Sequence, residues 1–127
     1  MPWSYSIDTN RGVIFTKATG TITEADLVAE TRAVYQDPEF RSDLNVFHDY
    51  SEVADLILSC EFLAAMAENR RFSKNSKTAI WAPGPLSYGL GHIFQVYAHH
   101  GSVVVFHDRN EALAWLNEGV PPEKAIT

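Results

Sequence analysis

Four polar residues in succession, Asp49, Tyr50, Ser51 and Glu52, end a stretch that starts at Leu44 and reads as a short buried strand. Two carboxylates, a phenol and a hydroxyl side by side can exchange protons or grip a polar partner. Tyr88 and the pair His107-Asp108 offer similar groups after two further apolar runs. In an open α/β sheet such residues gather where strands end, because the backbone there is not all tied into the ladder. Asp49, Tyr50, Ser51, Glu52, Tyr88, His107 and Asp108 are therefore expected on one rim of a sheet, a candidate interaction or ligand surface.

The presence of Ser, His and Asp invites a hydrolase reading, but a triad is defined by geometry and an oxyanion hole, not by residue types. Ser87-Tyr88-Gly89 lacks the leading glycine of a nucleophile elbow, so no enzyme is expected. His99 and His100 are adjacent and point apart on a helix, His48 and His107 each stand beside an aspartate, and no two histidines have helical zinc spacing. No metal and no cofactor is expected. Gly84, Gly89 and Gly91 lack the lysine and hydroxyl residue of a phosphate loop, and close packing of a helix on the sheet explains Gly89 and Gly91 more simply.

These residues need elements to position them. Trp3, Tyr5 and Ile7 alternate with Ser4, Ser6 and Asp8, the period of a strand with one buried face. Asn10-Arg11-Gly12 turns the chain into a second strand, Val13 to Thr19, ended by Gly20, and the two form an antiparallel hairpin. Thr23 and Asp26 make an approximate capping box for a helix carrying Leu27, Thr31, Val34 and Tyr35 on one face, stopped at Asp37-Pro38. A third strand runs from Leu44 to Asp49. Ser59 is a fitting N-cap for a second helix with Phe62, Leu63, Met66 and Arg70, fading near Lys74, where Arg70, Arg71 and Lys74 suit the negative pole of the helix dipole in preference to an anionic-partner patch.

Lys77 to Ala82 reads as a fourth strand closed by Pro83-Gly84-Pro85, and a third helix with Leu86, Leu90, Ile93, Phe94 and Tyr97 ends at His99-His100-Gly101. The wholly apolar Val103 to Phe106 predicts a strand inside the sheet, whereas Trp3 to Asp8 belongs nearer an edge. Asp108 and Glu111 open a last helix through Leu116, ended by Gly119 and the Pro121-Pro122 pair. The order is β-β-α-β-α-β-α-β-α: an α/β fold with a mixed five-stranded sheet and about four helices, parallel wherever a helix intervenes. Residues 1–120 form one domain and 121–127 a loose tail.

The 127 residues suit a single core, and 46% hydrophobic and 20% charged residues suggest neither disorder nor a membrane span. A net charge of −6 repels a phosphate backbone, so nucleic-acid binding is not expected. The lone Cys60 and an opening without a basic region followed by an apolar stretch suggest a reducing, cytoplasmic setting.

The element order, together with Asp49-Tyr50-Ser51-Glu52-Val53 after the third strand, Ala82-Pro83 before Tyr88-Gly89, and Val105-Phe106 before Glu111 to Leu116, resembles the STAS-like superfamily. The similarity is to the SpoIIAA-like proteins, described together with SEC14-type lipid-binding domains, and covers nearly the whole chain. In the anti-sigma-factor antagonists of that superfamily a phosphorylatable serine starts the helix after this strand. Ser59 takes that place, but Leu58, Cys60 and Glu61 replace the motif's acid and glycine.

The resemblance implies a non-enzymatic regulatory or protein-interaction module with a protein partner. The alternative is a SEC14-like binder or sensor of a small apolar or lipid-like ligand, with Phe62, Met66, Tyr88, Phe94 and Tyr97 lining a pocket instead of an ordinary core. An enclosed pocket between helices and sheet would favour the alternative. Homodimerisation stays open, since the first strand presents a sheet edge.

Overall fold

The computed structural model describes residues 1–98 and 102–127, so the expected helix end at His99-His100-Gly101 lies outside the described residues. β1 (Trp3–Asp8) and β2 (Val13–Thr23) pair antiparallel, from Trp3 opposite Ala18 to Asp8 opposite Val13. Gly12, at φ +70°, supplies the left-handed residue the turn requires, and its N–H donates to the Asp8 carbonyl at 2.8 Å. α1 (Glu24–Gln36), α2 (Cys60–Glu68), α3 (Pro85–Tyr97) and α4 (Arg109–Leu116) then alternate with the parallel strands β3 (Asn45–Ile57), β4 (Lys77–Trp81) and β5 (Ser102–Phe106). The mixed five-stranded sheet has the order β1-β2-β3-β4-β5, and β1 is an edge as the sequence suggested.

Helix starts were legible. Thr23 and Asp26 form a reciprocal capping box, the Ser59 hydroxyl accepts from the Phe62 N–H at 3.0 Å, and Asp108 accepts from the Asn110 N–H at 2.9 Å. Other expectations are corrected.

β5 is an edge strand, not an interior one. Val103 and Val105 pack on the α3 side and Phe106 meets Trp115 of α4 with ring centroids 5.7 Å apart. An unbroken apolar run reports cover above and below the sheet, and says nothing about neighbours to left and right.

β2 does not stop at Gly20, nor β3 at Asp49. Past the last β3–β4 pair, Asp49 opposite Trp81, β2 and β3 continue together to Thr23 opposite Ile57. Register shifts flank Thr19 and Gly20, and Gly20 has φ +70°. Mutual pairing of two backbones satisfies N–H and C=O groups whatever the side chains are, so polar composition did not end the strands.

α2 ends at Glu68, with Asn69 as C-cap and no basic residue in its last turn. Arg70 is thus past the helix, and it is buried. The tail, too, is docked: Pro122–Lys124 forms a 3₁₀ turn, Ile126 joins the core beside Leu113 and Leu116, and Asn117 exchanges two hydrogen bonds with the Ile126 backbone at 2.8 and 2.9 Å.

Close packing of α3 holds at Gly91, where a Cβ would lie 2.9 Å from Val105 Cγ2, but not at Gly89, where it would meet nothing within 4 Å. The two sit on different sides of the helix, a distinction that spacing of two residues implies.

Candidate functional site

Because β3 runs on through the polar tetrad, strand alternation sends its members to opposite faces. On one side lie Phe47, Asp49 and Ser51; on the other Val46, His48 and Tyr50. Ser51 donates to the Asp49 carboxylate through both its N–H (2.9 Å) and its hydroxyl (2.6 Å), and Glu52 pairs with Lys17. These three acids and hydroxyls are occupied locally. Asp108 is spent as the α4 cap. Tyr88 and His107 do meet, stacked with centroids 3.6 Å apart, but Tyr88 also packs against the cluster of Ile80, Ala82, Val103 and Val105. The seven residues therefore do not share one rim. Ser59 stands exposed, its N–H donating to Glu24 Oε2 at 2.8 Å, with Glu61 two residues on.

The face that takes Tyr50 is hollow. Across the sheet, Ile14, Val46 and Thr78 form one row and Thr16, His48 and Ile80 the next. Above them α1, α2 and α3 leave a cavity of about 400 Å³, within the span of about 300–1,000 Å³ usual for small-molecule sites. Met66 and Phe94, two of the residues considered from sequence as pocket lining, line it, whereas Tyr97 is exposed. Leu27, Leu56, Leu58 and Leu90 form an apolar end, packed with the buried Ala18 and Ile22. Tyr35 and Phe72 mark the other end, part of an aromatic group with Phe40 at centroid distances of 5.1 to 5.9 Å.

Polar groups enter this space at few points. Thr16 Oγ1 and His48 Nδ1 share a hydrogen bond of 2.6 Å, made possible because the two residues are opposite each other in the β2–β3 register. Burial, and secondarily the Arg70 charge, hold the His48 pKa down at about 3, so the ring is neutral. The Tyr50 ring lies 5.9 Å from that of His48, and burial followed by the field of Glu30 pushes its phenol pKa upward.

Arg70 Nη2 donates to Thr78 Oγ1 at 2.5 Å, while its guanidinium lies over the rings of Phe72 (4.7 Å) and Phe94 (5.8 Å). Burial lowers its pKa only to about 10, leaving it charged at neutral pH. Glu30, on the sheet-facing side of α1, is 4% exposed, and its Oε2 has no hydrogen-bond partner among the described residues. Burial pushes its pKa up to about 7.

His48, Glu30 and Arg70 were not singled out as site residues. His48 carried a readable signal, its two-residue spacing from Val46 and Tyr50, once β3 is known to continue. Arg70 stood in a basic cluster that reads more readily as a solvated helix end than as an anionic-partner patch. Among the described residues no cluster of His, Cys, Asp and Glu is placed to hold a metal ion, and no helix is long and apolar enough to cross a membrane.

No protein-family model and no curated protein matches the chain. A solved structure does: an uncharacterised DUF3478-family protein with a SpoIIAA-like fold from Shewanella loihica PV-4 aligns at a TM-score of 0.61 and 19% identity, covering 90% of this chain and 93% of that one. The chain has a SpoIIAA-like fold.

Proposed function

We propose that this protein is a non-enzymatic binder, carrier or sensor, of a small and largely apolar molecule held between the sheet and α1, α2 and α3. The observation that carries this reading is the cavity itself, about 400 Å³ bordered by leucines at one end and aromatic rings at the other. Protein interiors are ordinarily close-packed, so space of this size beneath three helices calls for an occupant. His48 is held neutral and Tyr50 protonated, so both can offer hydrogen bonds without placing a charge among the leucines.

The test is titration with the neutral fluorophore N-phenyl-1-naphthylamine. Saturable binding of one molecule per chain is expected, and Thr31→Trp, which fills the space from α1, is expected to abolish it with the fold retained by circular dichroism. Absence of saturable binding to the parent protein would remove the proposal.

A regulatory module with a protein partner is the second reading. It is supported by Leu86, Val96 and Tyr97, exposed at 47%, 66% and 42% on α3, the helix that also borders the cavity. Ligand occupancy would then be felt on the surface a partner or a second copy recognises. Sedimentation of the parent against Val96→Lys/Tyr97→Lys, with and without the fluorophore, tests whether this surface mediates self-association.

A further inference from the structure

The charged groups bordering the cavity are all of one sign. Arg32, Arg70 and Arg71 line it, and no Asp, Glu or Lys does so among the described residues. In a chain whose net charge is −6, a lining with three cations and no acid runs against composition. The three are also gathered at one end. Arg71 lies over the Tyr35 ring at 5.1 Å and its N–H donates to the Tyr35 hydroxyl at 3.1 Å. Arg32 is one turn before Tyr35 on α1. Arg70 lies inside, over Phe72, which packs on Tyr35.

The opposite end, at Leu27, Leu56, Leu58 and Leu90, is apolar. Glu30 is not among the residues that border the cavity, and burial raises its pKa to about 7.

Resting on the reading of the cavity as a ligand site, we infer that its ligand is an anionic amphiphile, a single apolar chain ending in a carboxylate or phosphate. The chain lies along the leucine end and the anionic head reaches Arg70, with Arg71 and Arg32 at the entrance. A guanidinium fork matches the oxygens of either head group, and in a partly water-excluded site that match is worth far more than at the surface. A cation at the same end would be repelled by all three arginines.

Four ten-carbon probes, each below its micellar concentration, test this by isothermal titration calorimetry: decanoate, decyl phosphate, 1-decanol and decyltrimethylammonium. The expected order places one or both anions at least tenfold tighter than decanol, with no measurable binding of the ammonium; which anion binds tighter identifies the head group. Arg70→Met, which keeps an unbranched apolar stem, is expected to bring anion binding down to the level of decanol and leave decanol unchanged.

Since Arg70 is buried, Arg32→Gln/Arg71→Gln provides a second variant at exposed positions, expected to weaken the anions threefold or more and to spare decanol. Decanol binding as tightly as both anions, or anion binding indifferent to the arginine variants, would overturn the inference while leaving the apolar-ligand reading standing. Failure of all four probes would overturn both.

Discussion

The two faces of the sheet are built from the same strands and solve opposite problems. On the α4 face, Val13, Phe47 and Ala79 meet Ala112, Leu113, Leu116 and the tail residue Ile126 in a filled cluster. On the other face Ile14, Val46 and Ile80 come from the same strands, yet α1, α2 and α3 stop short of filling the space above them. The polar groups follow this difference. His48, Tyr50, Glu30 and Arg70 all belong to the hollow side, whereas Asp49, Ser51 and Glu52 stand on or beyond the other side and satisfy one another or Lys17. On one face α4 and the tail close over this cluster, with an open depression beside it over Phe15 and Phe47; on the other, three helices leave room.

The largest expected difference between the faces is in tolerance of truncation. Leu116, 1% exposed in the filled cluster, should lose about 2–5 kcal/mol of stability on substitution by Ala. Met66→Ala, at a half-buried side chain already bordering open space, should lose less than half as much by urea denaturation. Equal losses would erase the distinction between a filled and a hollow face.

The next effect is in pH dependence, to which the buried Glu30 and His48 of the hollow face contribute with opposite signs. The Glu30 pKa is raised from 4.5 to about 7, so the folded protein holds a proton that the unfolded chain releases between those values. Its contribution is fully present below pH 4.5 and falls by roughly 3 kcal/mol as pH rises to about 7. His48 has the opposite sign. Its pKa is lowered from 6.5, so its contribution is present above pH 6.5 and is lost as pH falls toward 3, moderated by water admitted to the cavity.

Between pH 4.5 and 6.5 the two oppose each other in the parent. Glu30→Gln should therefore unmask a stability that rises with pH across this window, and His48→Phe one that falls, read from denaturation midpoints. Parallel profiles for the two variants would break the assignment.

α3 permits a finer comparison within one element. Gly91→Ala should destabilise, because its Cβ would press on Val105 at 2.9 Å, whereas Gly89→Ala should stabilise by up to about 1 kcal/mol, since no neighbour stands within 4 Å and alanine is the better helix former. The smallest effect lies away from both faces. Ser59→Ala should lose about 1 kcal/mol through the lost cap to the Phe62 N–H. Stoichiometric phosphate on Ser59 in protein from its own host would assign it a role beyond capping.

Local chemistry made much of the fold legible before any coordinates. The alternation of Trp3, Tyr5 and Ile7, the caps at Thr23, Ser59 and Asp108, and the breaks at Asp37-Pro38 and Pro83-Gly84-Pro85 act over a few residues, so their meaning is carried in the chain itself. What lay further apart was decided by pairing and packing. Whether β3 ended at Asp49 depended on β2 continuing beside it, and that one outcome divided the polar tetrad between two faces. Whether Val103–Phe106 lay inside the sheet depended on strand order, to which side-chain hydrophobicity is blind.

The cavity was the least legible feature, because an apolar helix face reads the same whether it meets a neighbour or empty space. Arg70 shows the same limit: three residues in the run Arg70-Arg71-Phe72 became a charge and its aromatic bed only when β4 supplied Thr78 and α3 supplied Phe94. Sequence specifies the elements through contacts close along the chain, and the tertiary fold decides which of their faces meet and which remain apart.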